Sequence, residues 1–172
     1  DDELEPGGLQ RVGEHFRDHP KSQVCYREDT ITIGAWRFPN AAQPKRVDMW
    51  SLLRGHILFQ DGVAFRKNAY RQIGGVDRSM RLAGDYDLWL RLSRHFRFDR
   101  APGHVSSFRI RPGQLSADMD AYRAEQRESR RRFVRRMRAI GWLRRAPGGV
   151  WNRLVNAAGR VFSRPSFFYP VC

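Results

Sequence analysis

Gly84-Asp85-Tyr86-Asp87-Leu88-Trp89-Leu90-Arg91-Leu92 sets two acids at the opening of an amphipathic segment. Leu88, Leu92 and Phe96 fall on one stripe with Trp89 beside it, so the spacing predicts a helix over 85–95. The polar stretch from Val76 to Gly84 reads as a loop, from which a carboxylate at the helix start can be aimed into a cleft. A purely structural reading also exists. Asp85 can cap the helix, and Asp87 can complement its dipole and pair with Arg91 one turn on.

Outward from this helix, short apolar runs alternate with helical patterns, the signature of an α/β chain. Leu9, Val12 and Phe16 predict a helix ending near His19 and Pro20. Residues 22–26 and 30–35 read as two strands around a polar turn at Glu28 and Asp29, followed by a Pro- and Asn-rich loop. Residues 47–53 and 68–73 suggest short helices, and 57–59 and 63–65 short extended pieces. Two more strands are expected at 96–98 and 105–110, divided by a turn at Pro102 and Gly103. The longest helical pattern runs over 119–140.

At 172 residues with 41% apolar side chains, the chain can bury one ordinary core without staples. Its net charge of +14 is uneven: residues 1–120 carry +3 and residues 121–172 carry +11. Cys25 and Cys172 are too few for a disulfide framework or a cysteine metal cluster, so a reducing compartment is expected. No stretch approaches the ~20 apolar residues of a membrane span, and the acidic opening is unlike a secretory leader. The five histidines read as surface or packed residues, and no Walker loop, nucleophile elbow or Cys-His pair is present.

The chain opens on Asp1-Asp2-Glu3-Leu4-Glu5-Pro6-Gly7, adjacent carboxylates ahead of a turn, which reads by itself either as an exposed acidic turn or helix-capping segment or as a hard-oxygen cluster of the kind that holds Mg2+ or Mn2+ on a diphosphate. There follow Gln60 with Phe65-Arg66-Lys67, Ile73-Gly74-Gly75-Val76-Asp77, Asp85-Tyr86-Asp87-Leu88-Trp89-Leu90-Arg91, and Phe108-Arg109. In order and spacing these resemble the family 2 glycosyltransferases over residues 1–116. Val76 stands where that family usually has an aromatic, Gly84 where many members have Glu, and Arg111 near the place of a His that some members give to the metal.

The resemblance implies a partial GT-A (nucleotide-diphospho-sugar transferase) fold, α/β with a mixed sheet and a C-terminal helical basic tail. Residues 1–118 would form the acceptor-side and catalytic part, with the donor-binding half missing and little activity in isolation, and residues 119–172 the tail. Asp85 would be the catalytic base. Asp1 and Asp2 would lie on the donor side, Asp1 facing Mg2+ or Mn2+. Gln60, Asp87, Arg109 and Arg111 would line the acceptor or diphosphate side. The implied reaction is inverting transfer from a UDP- or dTDP-sugar to a saccharide or lipid-linked hydroxyl acceptor in bacterial cell-envelope polysaccharide synthesis. The implied place is the cytoplasm, at the inner face of the cytoplasmic membrane.

In the tail, Phe133, Met137 and Ile140 share a helical face while arginines cover the rest. Such a helix over 128–145 can pack on its own domain, lie on an anionic membrane or meet nucleic acid; the transferase reading expects no nucleic acid. The rival functional class is a non-catalytic basic module for a membrane surface or nucleic acid, with structural acids.

Overall fold

The computed structural model describes residues 2–40, 44–114 and 117–139. The elements in chain order are β1 (Glu3–Leu4), α1 (Gly8–Asp18), β2 (Val24–Ile33), β3 (Trp36–Pro39), α2 (Met49–Leu53), a 3-10 turn (Gln60–Gly62), β4 (Val63–Phe65), α3 (Lys67–Gln72), α4 (Gly84–Ser93), β5 (Phe98–Ile110) and α5 (Met119–Ala139). The fold is α/β with a mixed, open five-stranded sheet. The strands run β1-β5-β2-β3, and β4 also pairs with β2. Only β2 and β5 are parallel. The chain between them, including α2, α3 and α4, is the long crossover that parallel neighbours require.

Two predicted turns are absorbed into strands. β2 runs without a break through Glu28 and Asp29, because Asn40 serves Asp29 twice. The Asn40 amide donates to the Asp29 carbonyl at 3.0 Å, and its side-chain Nδ2 donates to Asp29 Oδ2 at 2.9 Å. β5 likewise passes through Pro102 and Gly103, where Gly103 takes φ +84° and the register with β2 slips. Trp36–Pro39, expected as the start of a loop, forms β3 because Gly34 at φ +58° turns the chain back on β2. Residues 57–59 form no strand. The predicted helices all form within a few residues of their expected ends, and α2 has a capping box between Asp48 and Ser51.

One apolar core joins the sheet to the helices: Val24, Tyr26, Leu52, Leu58, Tyr86, Trp89, Leu90, Leu92 and Phe98 are all buried in it. Phe133 and Met137 of α5 belong to the same cluster. The expected boundary at residue 118 therefore does not divide two cores, and α5 up to Ala139 is a structural layer of the domain. Of the three readings of the α5 stripe, packing on its own domain is the one observed. Phe133 is 6% exposed and Met137 2% exposed, so neither can enter a bilayer while packed, whereas Ile140 lies outside the described residues. Among the described residues no helix is long and apolar enough to cross a membrane.

Candidate active site

Asp85 sits in the first turn of α4, where the initial backbone N–H groups have no helical partners. Its Oδ1 accepts from the Tyr86 amide at 2.7 Å and lies 3.5 Å from Tyr122 Oη of α5. No other described residue donates to Oδ2, so one carboxylate oxygen is uncommitted. Burial pushes the Asp85 carboxyl up to about 6, against the opposing pull of the Tyr86 and Asp85 amides and of Tyr122. A group that changes charge there can act as a general base near neutrality. Burial also raises the Tyr122 phenol, and the neighbouring Asp85 charge raises it further, so Tyr122 is a neutral donor.

The loop that delivers Asp85 is held from α5. The N-cap, Ala83, offers no side-chain cap, and Glu125 takes over that role across space. Its carboxylate accepts from the amides of Arg81, Leu82 and Ala83 at 3.1, 2.8 and 2.9 Å. Burial alone would raise the Glu125 carboxyl; the hydrogen bonds from Ala83, Leu82 and Arg81 outweigh it and hold it below the usual range. A negative charge at this helix start is also favoured by the α4 dipole. Neither Tyr122 nor Glu125 stood out in the sequence. The one available signal was a pair of non-basic residues three apart in an arginine-rich helix.

Asp87 points elsewhere. It is buried, with Oδ2 accepting from Arg91 Nε at 2.7 Å and Oδ1 from Ser129 Oγ at 2.9 Å. Both oxygens are used, one within α4 and one in joining α4 to α5, which corrects its placement on an acceptor or diphosphate surface.

A second group of acids gathers where β1, β5, β2 and the 3-10 turn meet. Asp2 Oδ1 accepts from the Arg109 amide at 3.0 Å, and the Arg109 guanidinium pairs with Glu3. Gln60 is exposed at the start of the 3-10 turn. Beside it, Asp61 Oδ2 accepts from Ser106 Oγ at 2.9 Å, and Ser106 is the register partner of Leu4. Asp29 is fully buried, and among the described residues neither its Oδ1 nor that of Asp61 has a hydrogen-bond partner. Burial pushes Asp29 up to about 7; the Asn40 bond opposes this, and the charges of Asp61 and Asp2 add to it. Asp61 is raised by burial as well, with Asp2 contributing. The sequence placed Asp29 in a polar turn and left Asp61 unmentioned; a buried acid inside a strand becomes visible only once the strand is known to continue.

Of the predicted residues, the structure thus brings Asp2, Gln60 and Arg109 to one edge. Asp85 belongs to a separate α4–α5 group and Asp87 to the interior. Arg111 follows β5 and is exposed, its amide donating to Gln114 Oε1 at 2.9 Å. Asp1 lies outside the described residues. Among the described residues no three His, Cys, Asp or Glu side chains are arranged to hold a metal ion.

A groove of about 920 Å³ opens at the other end of α4, lined among others by His15, His19, Lys21, His95, Arg97 and Arg100. It contains none of the predicted site residues. Asp85 is separated from it by the length of α4, roughly 14 Å. The groove lies at the starts of the parallel strands, whereas ligands in open α/β sheets collect at their carboxyl ends. His15 and His19 stand four apart with ring centroids 4.7 Å from each other, a spacing the sequence reading overlooked. His15 is committed, with Nε2 3.2 Å from Ser22 Oγ.

No protein-family model matches the chain, and no curated protein matches it.

Proposed function

We propose that this chain is the acceptor-side, base-bearing part of an inverting, GT-A-type glycosyltransferase that uses a UDP- or dTDP-sugar donor. The observation that carries the reading is Asp85. It is a part-buried carboxylate at a helix start, raised to about 6, with one oxygen uncommitted and its loop pinned by Glu125. That is the equipment needed to accept a proton from an acceptor hydroxyl as it attacks a sugar carbon. The order of motifs along residues 1–116, resembling family 2 glycosyltransferases, supplies the donor class and the cell-envelope setting.

The departing nucleoside diphosphate needs its charge neutralised, and Mg2+ or Mn2+ would supply that as a Lewis acid. Asp1 and Asp2 would hold it; carboxylate oxygens are the hard donors that either ion takes, and the Asp2 charge already acts on Asp29 and Asp61 nearby. Arg111 would face the diphosphate, and Gln60 the acceptor. A saccharide or lipid-linked hydroxyl is the acceptor class.

The test uses the complete gene product carrying this chain, with UDP- and dTDP-hexoses, Mn2+ and a lipid-linked saccharide. Release of nucleoside diphosphate that depends on acceptor, disappears in Asp85→Asn and returns in no Asn revertant lacking the carboxylate is expected. Equal release by wild type and Asp85→Asn overturns the assignment of the base.

A further inference from the structure

α5 turns one narrow face to the rest of the domain. Tyr122, Gln126, Ser129, Phe133 and Met137 recur at helical spacing, and the last four of them are buried. Ser129 ties this face to α4 through its bond to Asp87, and Phe133 and Met137 tie it to the core by packing. Tyr122, the first residue of the stripe, is thereby delivered to the start of α4. A half-buried phenol calls for a hydrogen-bond partner, and the one it meets is Asp85 Oδ1 at 3.5 Å. Three residues on, Glu125 accepts the amides of Arg81, Leu82 and Ala83. One turn of α5 therefore reaches both the loop and the carboxylate that follows it.

We infer that Tyr122 is a positioning residue for Asp85, its hydroxyl donating to Oδ1 so that the carboxylate is fixed with Oδ2 presented to the acceptor hydroxyl. This rests on the reading of Asp85 as the base. Oδ1 also accepts from the Tyr86 amide at 2.7 Å, so both donors fall on one oxygen and the other is left to take a proton. A carboxylate held by its neighbour's amide alone can still turn; a second donor from another helix fixes its plane. The bond acts on charge as well. Burial favours the neutral acid and a donor to the anion opposes burial, so Tyr122 extends to lower pH the range in which Asp85 is a base. The phenol keeps its own proton, because burial and the Asp85 charge both raise it. Three other groups surround the pair. The Tyr86 phenol donates to the Leu52 carbonyl of α2, Arg130 acts on Tyr86 and donates to the Leu53 carbonyl at 3.4 Å, and Glu125 is engaged by the loop amides. Asp87, on the same helix as Asp85, faces Arg91 and Ser129. At 3.5 Å the Tyr122 bond is long, and a catalytic hydrogen bond of that length commonly tightens in the Michaelis complex.

The complete gene product carrying this chain is to be compared with its Tyr122→Phe variant, which keeps the ring and removes the donor. The Asp85 carboxyl carbon is titrated by NMR with carbon-13-labelled aspartate, its signal assigned by its absence from Asp85→Asn. A midpoint near 6 is expected in the wild type, and one higher by about half a pH unit or more in Tyr122→Phe. Tyr26→Phe, which removes a hydroxyl bonded to the Lys45 carbonyl, should leave the midpoint in place. A second arm leaves every residue's shape nearly intact: replacing tyrosine by 3-fluorotyrosine strengthens the donor and should lower the midpoint. In acceptor-dependent release of nucleoside diphosphate, the acid limb should move with the midpoint in Tyr122→Phe, and kcat on the alkaline plateau should fall about tenfold with KM for the acceptor little changed. A midpoint that neither change moves, or a plateau kcat equal to that of the wild type, overturns the inference. Release that survives Asp85→Asn removes the base itself, and the carboxyl titration still reports separately whether Tyr122 bonds to Asp85.

Discussion

Tyr122 Oη of α5 stands 3.5 Å from Asp85 Oδ1 of α4, so the residue with the best claim to chemistry is buttressed by a helix that the sequence had set apart as a tail. Because Asp85 is raised to about 6 in the folded chain and returns to the ordinary carboxylate range on unfolding, the folded state binds the extra proton. Stability contributed by that proton is present at low pH and is lost as pH rises through about 6. Asp85→Asn removes the charge that burial penalises. It is expected to abolish transfer while stabilising the fold above pH 7 by on the order of 2 kcal/mol, a gap that narrows towards pH 4. Urea melts at several pH values, read beside activity, check both halves.

Asp29 gives a second pH signature at a higher value. Its carboxyl is raised to about 7, so wild-type stability should decline as pH climbs from about 4 to about 7 and flatten beyond. Asp29→Asn keeps an oxygen for Asn40 and removes the titrating group. Thermal melts of this variant between pH 5 and 9 should lose most of that slope; an unchanged slope would move its origin elsewhere.

Asp87 is a structural joint, and its loss should be felt in folding. Removing it strands Arg91, whose side chain is 16% exposed, and leaves Ser129 without its acceptor. Asp87→Ala is expected to cost about 3 kcal/mol in urea denaturation, because an unpaired charge is left in a poorly solvated place. Ser129→Ala, which deletes one hydrogen bond, should cost about 1 kcal/mol.

Glu125 caps α4 from another helix. Glu125→Ala leaves the Arg81, Leu82 and Ala83 amides without their acceptor, so their hydrogen exchange should accelerate while that of mid-helix amides in α4 changes little. The expected stability loss is about 1–2 kcal/mol, comparable to removal of a side-chain N-cap. Glu125→Gln, which retains one acceptor oxygen, should fall between.

Gly8 marks where α1 crosses β5. A Cβ there would stand 2.5 Å from the Val105 carbonyl oxygen, a backbone atom that cannot swing aside. Gly8→Ala should destabilise by roughly 2 kcal/mol through overpacking. Gly13→Ala is the control, since a Cβ at Gly13 meets nothing within 4 Å; it should be neutral or slightly stabilising, because Ala is the better helix former.

What the sequence determined by itself is local. The 3.6-residue spacing of Leu88, Leu92 and Phe96 announced α4, the Asp87–Arg91 spacing announced their ion pair, and the acid at the helix start marked Asp85 as a carboxylate that a cap or a cleft could use. These are decided within one or two turns of chain, where steric and hydrogen-bonding preferences act directly. The continuity of β2 through Asp29 depended on Asn40, that of β5 through Gly103 on its pairing with β2, and the support of Asp85 on Tyr122 and Glu125 far along the chain. Only the tertiary structure could decide those, because burial and long-range pairing change what a polar side chain costs and which partner it can reach. The four-residue spacing of apolar side chains in α5 left core packing and surface contact both open, and the tertiary structure resolves it as packing, with Phe133 and Met137 buried in the core that α2 and α4 share.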